Sequence, residues 1–122
     1  MPFLGELTLE CCDVETKGVS REDVIAAAHQ QPRDVRDWFL TLRRGGGDNE
    51  EYMDSTMEDE TTFSLRCRED GKSYRTAAAI REELLEPLFL SFYDHDRAWK
   101  TLCGWEEVPE KRKFSLKDLF TK

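Results

Sequence analysis

Four cysteines (Cys11, Cys12, Cys67, Cys103), two histidines (His29, His95) and 26 Asp/Glu side chains are this chain's stock of nucleophiles, bases and metal ligands. A structural zinc site usually brings cysteines in pairs about two to four residues apart. Here the nearest pair, Cys11 and Cys12, is adjacent, and on a strand the two side chains would leave opposite faces. Asp94-His95-Asp96 is the most compact mixed group; its spacing reads as a helix cap with an exposed histidine. A serine or cysteine nucleophile needs a neighbouring base, and neither His29 nor His95 stands in a motif that provides one. Cys67 and Cys103 read as small apolar core residues. Gly45-Gly46-Gly47 is followed by acids rather than by Lys-Ser/Thr, so it is not a phosphate loop. No catalytic residue, cofactor or metal ligand is assigned.

The sharpest feature is acidic. Residues 48–60 (DNEEYMDSTMEDE) carry seven acids and no base. The three glycines before them and the apolar stretches on either side suggest a long acidic loop, residues 45–60, inside a folded domain. Its acids lack the alternating ligands and central glycine of a calcium loop. Such an array suits docking to a basic surface: carboxylates speed the encounter and an aromatic holds the complex. The expected contacts are Glu50, Glu51, Tyr52, Asp54, Glu58 and Asp59.

Charge is unevenly spread. Residues 1–61 hold 6 Lys/Arg against 15 Asp/Glu, residues 62–122 hold 12 against 11, and the whole chain carries −8. That balance favours a basic protein partner and disfavours nucleic acid, whose phosphates would be repelled. A rigid carboxylate array that mimics nucleic acid is the sharper form of the same idea.

The elements that must position these residues are read from periodicity. Leu7, Leu9 and Cys11 alternate with Glu6, Thr8 and Glu10 as a half-buried strand, with a turn at Lys17-Gly18. Ser20 caps a helix whose first turn holds Glu22 and Asp23 and which ends near Gln30, before Pro32. Residues 35–43 fit helix or strand, with WFLTL favouring strand. Phe63, Leu65 and Cys67 alternate up to Asp70-Gly71, a two-residue hairpin turn that needs positive φ. Thr76 would cap a helix from Ala77 to about Leu85, broken by Pro87, with Phe89–Tyr93 a strand or a kinked continuation. Asp94 or Asp96 would cap a short helix holding Trp99 and Leu102. Trp38, Trp99 and Trp105 read as core. After Pro109, Lys111-Arg112-Lys113 leads to a short amphipathic helix with Phe114, Leu116, Leu119 and Phe120.

At 122 residues and 39% hydrophobic, the chain suits one domain, and 36% charged residues imply a heavily ionic surface. The expected fold is α+β: a single small domain, mostly antiparallel sheet packed with two or three helices, over residues 1–110, with 111–122 as a basic C-terminal segment. The N-terminus lacks a signal-peptide pattern and no stretch approaches a membrane span, so a cytoplasmic protein with reduced thiols is expected. In size, acidity and α+β layout the chain resembles the small immunity proteins that neutralise bacterial toxins; no motif carries the resemblance, so it implies an inhibitory role without assigning residues. The leading expectation is a non-enzymatic, acidic protein-binding module that docks a basic partner. The alternatives are an adaptor or assembly subunit, able to homodimerise, that binds through residues 111–122, and a small enzyme of unknown class.

Overall fold

Side chains that alternate inward and outward build most of this molecule. A computed structural model describes residues 7–12, 14–31, 33–45 and 50–109, which form an eight-stranded antiparallel sheet with three helices. The fold class is α+β. The strands are β1 (Leu7–Cys11), β2 (Val14–Lys17), β3 (Phe39–Arg44), β4 (Glu51–Met57), β5 (Thr62–Glu69), β6 (Lys72–Thr76), β7 (Ile80–Arg81) and β8 (Trp105–Val108). The helices are α1 (Arg21–Ala28), α2 (Leu85–Asp94) and α3 (Trp99–Leu102). The sheet runs β2-β1-β3-β4-β5-β6-β8, with β7 beside the start of β5.

One core lies between the sheet and the helices. Leu9, Leu40, Leu42, Met53, Phe63, Leu65 and Cys67 meet Val24, Leu85, Leu88, Phe89, Phe92 and Trp99 in a single buried cluster. Register puts the inward residues in line across strands: Leu9 opposite Leu42, Leu42 opposite Met53, Met53 opposite Cys67. The alternate residues, including Thr41, Arg43, Tyr52, Asp54, Ser64 and Arg66, form the outer face of the sheet.

Local signals hold where they are strongest. Ser20 caps α1 in a reciprocal box: its Oγ accepts from Asp23 N at 3.1 Å, and Asp23 Oδ2 accepts from Ser20 N at 3.0 Å. Residues 39–44 are strand. Asp70 and Gly71 join β5 to β6 with φ of 58° and 79°, the left-handed pair a primed turn requires. At α3 the expected cap is not found: Asp96 Oδ1 accepts from Ala98 N at 2.9 Å, but Ala98 is itself the N-cap and has no side-chain cap bond.

Three expectations change. Residues 45–60 are not one loop, because 51–57 form the central strand β4. Two short strands, β2 and β8, pair with partners that periodicity alone did not supply. Finally, the helix expected from Ala77 to Leu85 is displaced: β7 and a 3₁₀ turn (Glu82–Leu84) occupy that span, and α2 begins at Leu85 and takes in Phe89–Tyr93. Pro87 then falls in the first turn of α2, where its missing N–H has no intrahelical partner to lose. Thr76 caps no helix; its Oγ1 accepts from Leu65 N at 3.2 Å. The amphipathic segment 111–122 lies outside the described residues.

Candidate functional site

The strand period of two sorts the six expected contact residues onto different surfaces. Tyr52 and Asp54 point to the outer face from β4. Glu50, just before the strand, reaches the same face, where its Oε2 lies 3.5 Å from Arg43 Nε. Glu58, just after it, accepts from Ser64 Oγ at 2.7 Å. These four therefore share one surface. Glu51 is turned to the helical side, opposite Arg44. Asp59 is spent on the β4–β5 turn: its Oδ1 accepts from the backbone N–H groups of Thr61 and Thr62, both at 2.9 Å, and from both threonine hydroxyls. Those bonds hold the Asp59 carboxyl below its ordinary range.

The acids of the outer face are matched by arginines. Arg43 reaches Glu10 at 3.2 Å, Glu15 at 3.6 Å and Glu50. Arg66 grips Asp54 with two bonds of 3.3 and 2.8 Å. Arg75 pairs with Glu106 at 3.0 Å. Tyr52 stands between Arg43 and Arg68 in register, and Phe39 lies toward the other end of the face, beside Thr56. Partial burial on this face pushes the Tyr52 phenol up. The surface offers two half-buried aromatics in a lattice of ion pairs, not a bare acidic patch.

A second constellation lies on the helical side, and sequence reasoning missed it. Arg44 and Glu69 are both buried. Arg44 donates to Glu51 Oε1 at 3.0 Å and to the carbonyl of Phe92, and its guanidinium stacks 4.5 Å from the Phe92 ring centroid. Glu69 Oε1 accepts from Trp99 Nε1 at 2.8 Å. Its other oxygen, Oε2, lies 3.0 Å from His95 Nε2, yet it is buried and has no aligned hydrogen-bond donor. His95 Nε2 is also 4.0 Å from Glu51 Oε1. His95 is the C-cap of α2, with φ of 60°, whereas the sequence suggested a cap at Asp94 or Asp96 for the next helix and an exposed histidine between them. Its ring is not simply exposed, however, because it is aimed at Glu69. The only sequence signal was that Arg44 and Glu69 continue the inward alternation of Leu40/Leu42 and Leu65/Cys67.

The connection from α2 to α3 is pinned so that this aim is fixed. Ser91 Oγ donates to Asp96 Oδ1 at 2.6 Å and accepts from Trp99 N at 2.8 Å. Arg97 donates to Asp70 Oδ2 at 2.6 Å, tying the connection to the β5–β6 turn. Asp70 N in turn donates to Glu51 Oε2 at 3.0 Å.

All four cysteines are free thiols. Burial raises Cys11 to about 11, and pushes Cys67 and Cys103 upward as well, so these three stay protonated near neutral pH. His29 pairs with Glu86 at 2.6 Å. A cleft of about 680 Å³ opens beside Gln31, residues 33–36, Met57, Glu60 and Glu82. Arg33 lies at its inner wall, its guanidinium over the rings of Trp38 and Phe63 at 5.5 and 5.2 Å and 3.5 Å from Glu82. Among the described residues no helix is long and apolar enough to cross a membrane. Comparison with protein-family models, with curated proteins and with solved structures returns no match.

Proposed function

We propose that this chain is a non-enzymatic protein-binding module that docks a basic partner protein through the outer face of its sheet, as an inhibitor of immunity type would. The observation that carries the reading is the sidedness of the fold. The described helices all pack on one face of the sheet, and the other presents Tyr52 and Phe39 among ion-paired polar side chains. Aromatic anchors ringed by polar groups are the usual energetic centres of protein interfaces. The ion pairs supply specificity, since a partner must offer a charge pattern that exchanges with Asp54–Arg66 and Glu50–Arg43. The net charge of −8 steers a basic partner from a distance.

The test compares capture from native extract by the wild-type chain and by two variants, Tyr52→Ser/Phe39→Ser and Glu50→Gln/Asp54→Asn/Glu58→Gln. A basic protein held by the wild type should be lost from the first variant, and should associate more slowly with the second at low salt. Unchanged capture by both variants would remove the outer face as the interface.

A second reading, homodimerisation across a sheet edge, is favoured by β2. This edge strand carries Val14 at 66% exposed. Exposed edges template pairing with another chain, and an edge lysine blocks it. Light scattering of the wild type and of Val14→Lys over a range of concentrations separates dimer from monomer.

A further inference from the structure

Glu51, Glu69 and His95 come from three separate parts of the chain: the start of β4, the end of β5 and the cap of α2. Each offers one ligand atom, and these atoms lie within 4.8 Å of one another. We infer that they form a binding site for one divalent transition-metal ion of the zinc class.

Geometry supports the assignment first. Zinc binds carboxylate oxygen and imidazole nitrogen at about 2.0–2.2 Å, so two donors on one ion lie about 3.0–3.5 Å apart at right-angled to tetrahedral geometry. Glu69 Oε2 and His95 Nε2 are 3.0 Å apart. Glu51 Oε1 is 4.0 Å from the same nitrogen, and a turn of this half-buried carboxylate within its contacts to Arg44 and Asp70 N brings it to the ion.

The state of Glu69 is the independent observation. Its side chain is 1% exposed, and its Oε2 has no hydrogen-bond partner. A buried carboxylate oxygen facing a ring nitrogen without an aligned N–H between them is costly. A cation between the two atoms satisfies both.

The surroundings hold the ligands as a metal site requires. Glu69 is oriented by Trp99 Nε1 and Glu51 by Arg44 and by Asp70 N, the kind of outer contact that fixes ligating carboxylates. Among the described residues, Arg44 is the cation bonded to this set, through Glu51 at 3.0 Å. It offsets one of the two carboxylate charges, and the remaining carboxylate charge still attracts a divalent ion. One oxygen and one nitrogen donor type without thiolate suits zinc, cobalt or nickel better than copper(I). Glu51 and His95 are partly exposed at 19% and 26%, which provides an entry path from solvent.

The test uses the full chain and the ions Zn²⁺ and Co²⁺ alone. Calorimetry with Zn²⁺ should give one site per chain, and excess Zn²⁺ should raise Tm, because the ion binds the folded state. His95→Asn keeps a residue that tolerates positive φ, and Glu69→Gln keeps the size. Each should weaken binding by about tenfold or more. The chain has two histidines, so in His29→Asn the remaining imidazole signal reports His95 directly, and Co²⁺ should shift it paramagnetically. This last measurement needs no change at the site. Absence of stoichiometric binding, equal binding by wild type and variants, or a His95 signal untouched by Co²⁺ would overturn the site and leave His95–Glu69 as a structural ion pair.

Discussion

Trp99 Nε1 donates a 2.8 Å hydrogen bond to Glu69 Oε1 where both side chains are sealed from solvent. The indole also stands edge-on to Tyr74 and Trp105, at 5.4 and 4.9 Å between centroids. The pair joins α3 to the end of β5 and gives the buried carboxylate its one aligned donor among the described residues.

Trp99→Phe keeps a ring in that packing and removes the donor. Glu69 is then left with neither oxygen hydrogen-bonded, and the lost bond to a charged acceptor costs about 1–3 kcal/mol. Urea denaturation should show a lower midpoint with an unchanged slope. A midpoint equal to the wild type would mean that water replaces the indole.

Ser20→Ala removes one half of the capping box of α1 and leaves Asp23 N with only the Ser20 carbonyl, at 3.1 Å, as acceptor. The expected loss is about 1 kcal/mol. Ser20→Asp should retain most of the stability in the same denaturation series.

Asp59 gives a pH dependence with a defined sign. Its carboxyl sits below its ordinary value of 3.8 because backbone and side-chain groups of Thr61 and Thr62 donate to the ionised form. A depressed folded pKa stabilises in full above the ordinary value and is lost as pH falls through the folded one. Wild type should therefore lose stability below about pH 4 faster than Asp59→Asn does, read from thermal midpoints at pH 7, 4 and 3.

Gly71 tests the hairpin. A Cβ built there meets no atom within 4 Å, so Gly71→Ala is penalised by its φ of +79° alone. That should cost about 1–2 kcal/mol, whereas Gly71→Asn, which tolerates the left-handed region, should cost less.

Thiol reactivity follows from burial. Cys11 is 7% exposed and its thiol is raised to about 11. Alkylation of the native chain at pH 8 should be slow at Cys11, and should become rapid in denaturant. Fast native labelling of Cys11 would show that the edge formed by β1 and β2 opens readily.

What the sequence determined by itself was local. Phe63, Leu65 and Cys67 alternate, so they share a face whatever lies opposite. Asp70-Gly71 supplies positive φ wherever it stands, and Ser20 reaches an N–H only three residues on. These signals need no distant partner, and each element they mark is present. Tertiary structure decided the rest. A strand as acidic as β4 is stable in the middle of a sheet because Arg43 and Arg44 on β3 and Arg66 on β5 neutralise Glu50, Glu51 and Asp54. The weak alternation of Met53, Ser55 and Met57 was its only local trace. β8 exists because residues 105–108 pair with β6, and Pro87 fits because α2 begins two residues before it. The burial of Arg44 and Glu69 beside His95 depends on residues up to 48 apart meeting across the core. Such charges look solvated one by one in the chain; their desolvation is compensated only by partners that the fold brings to them.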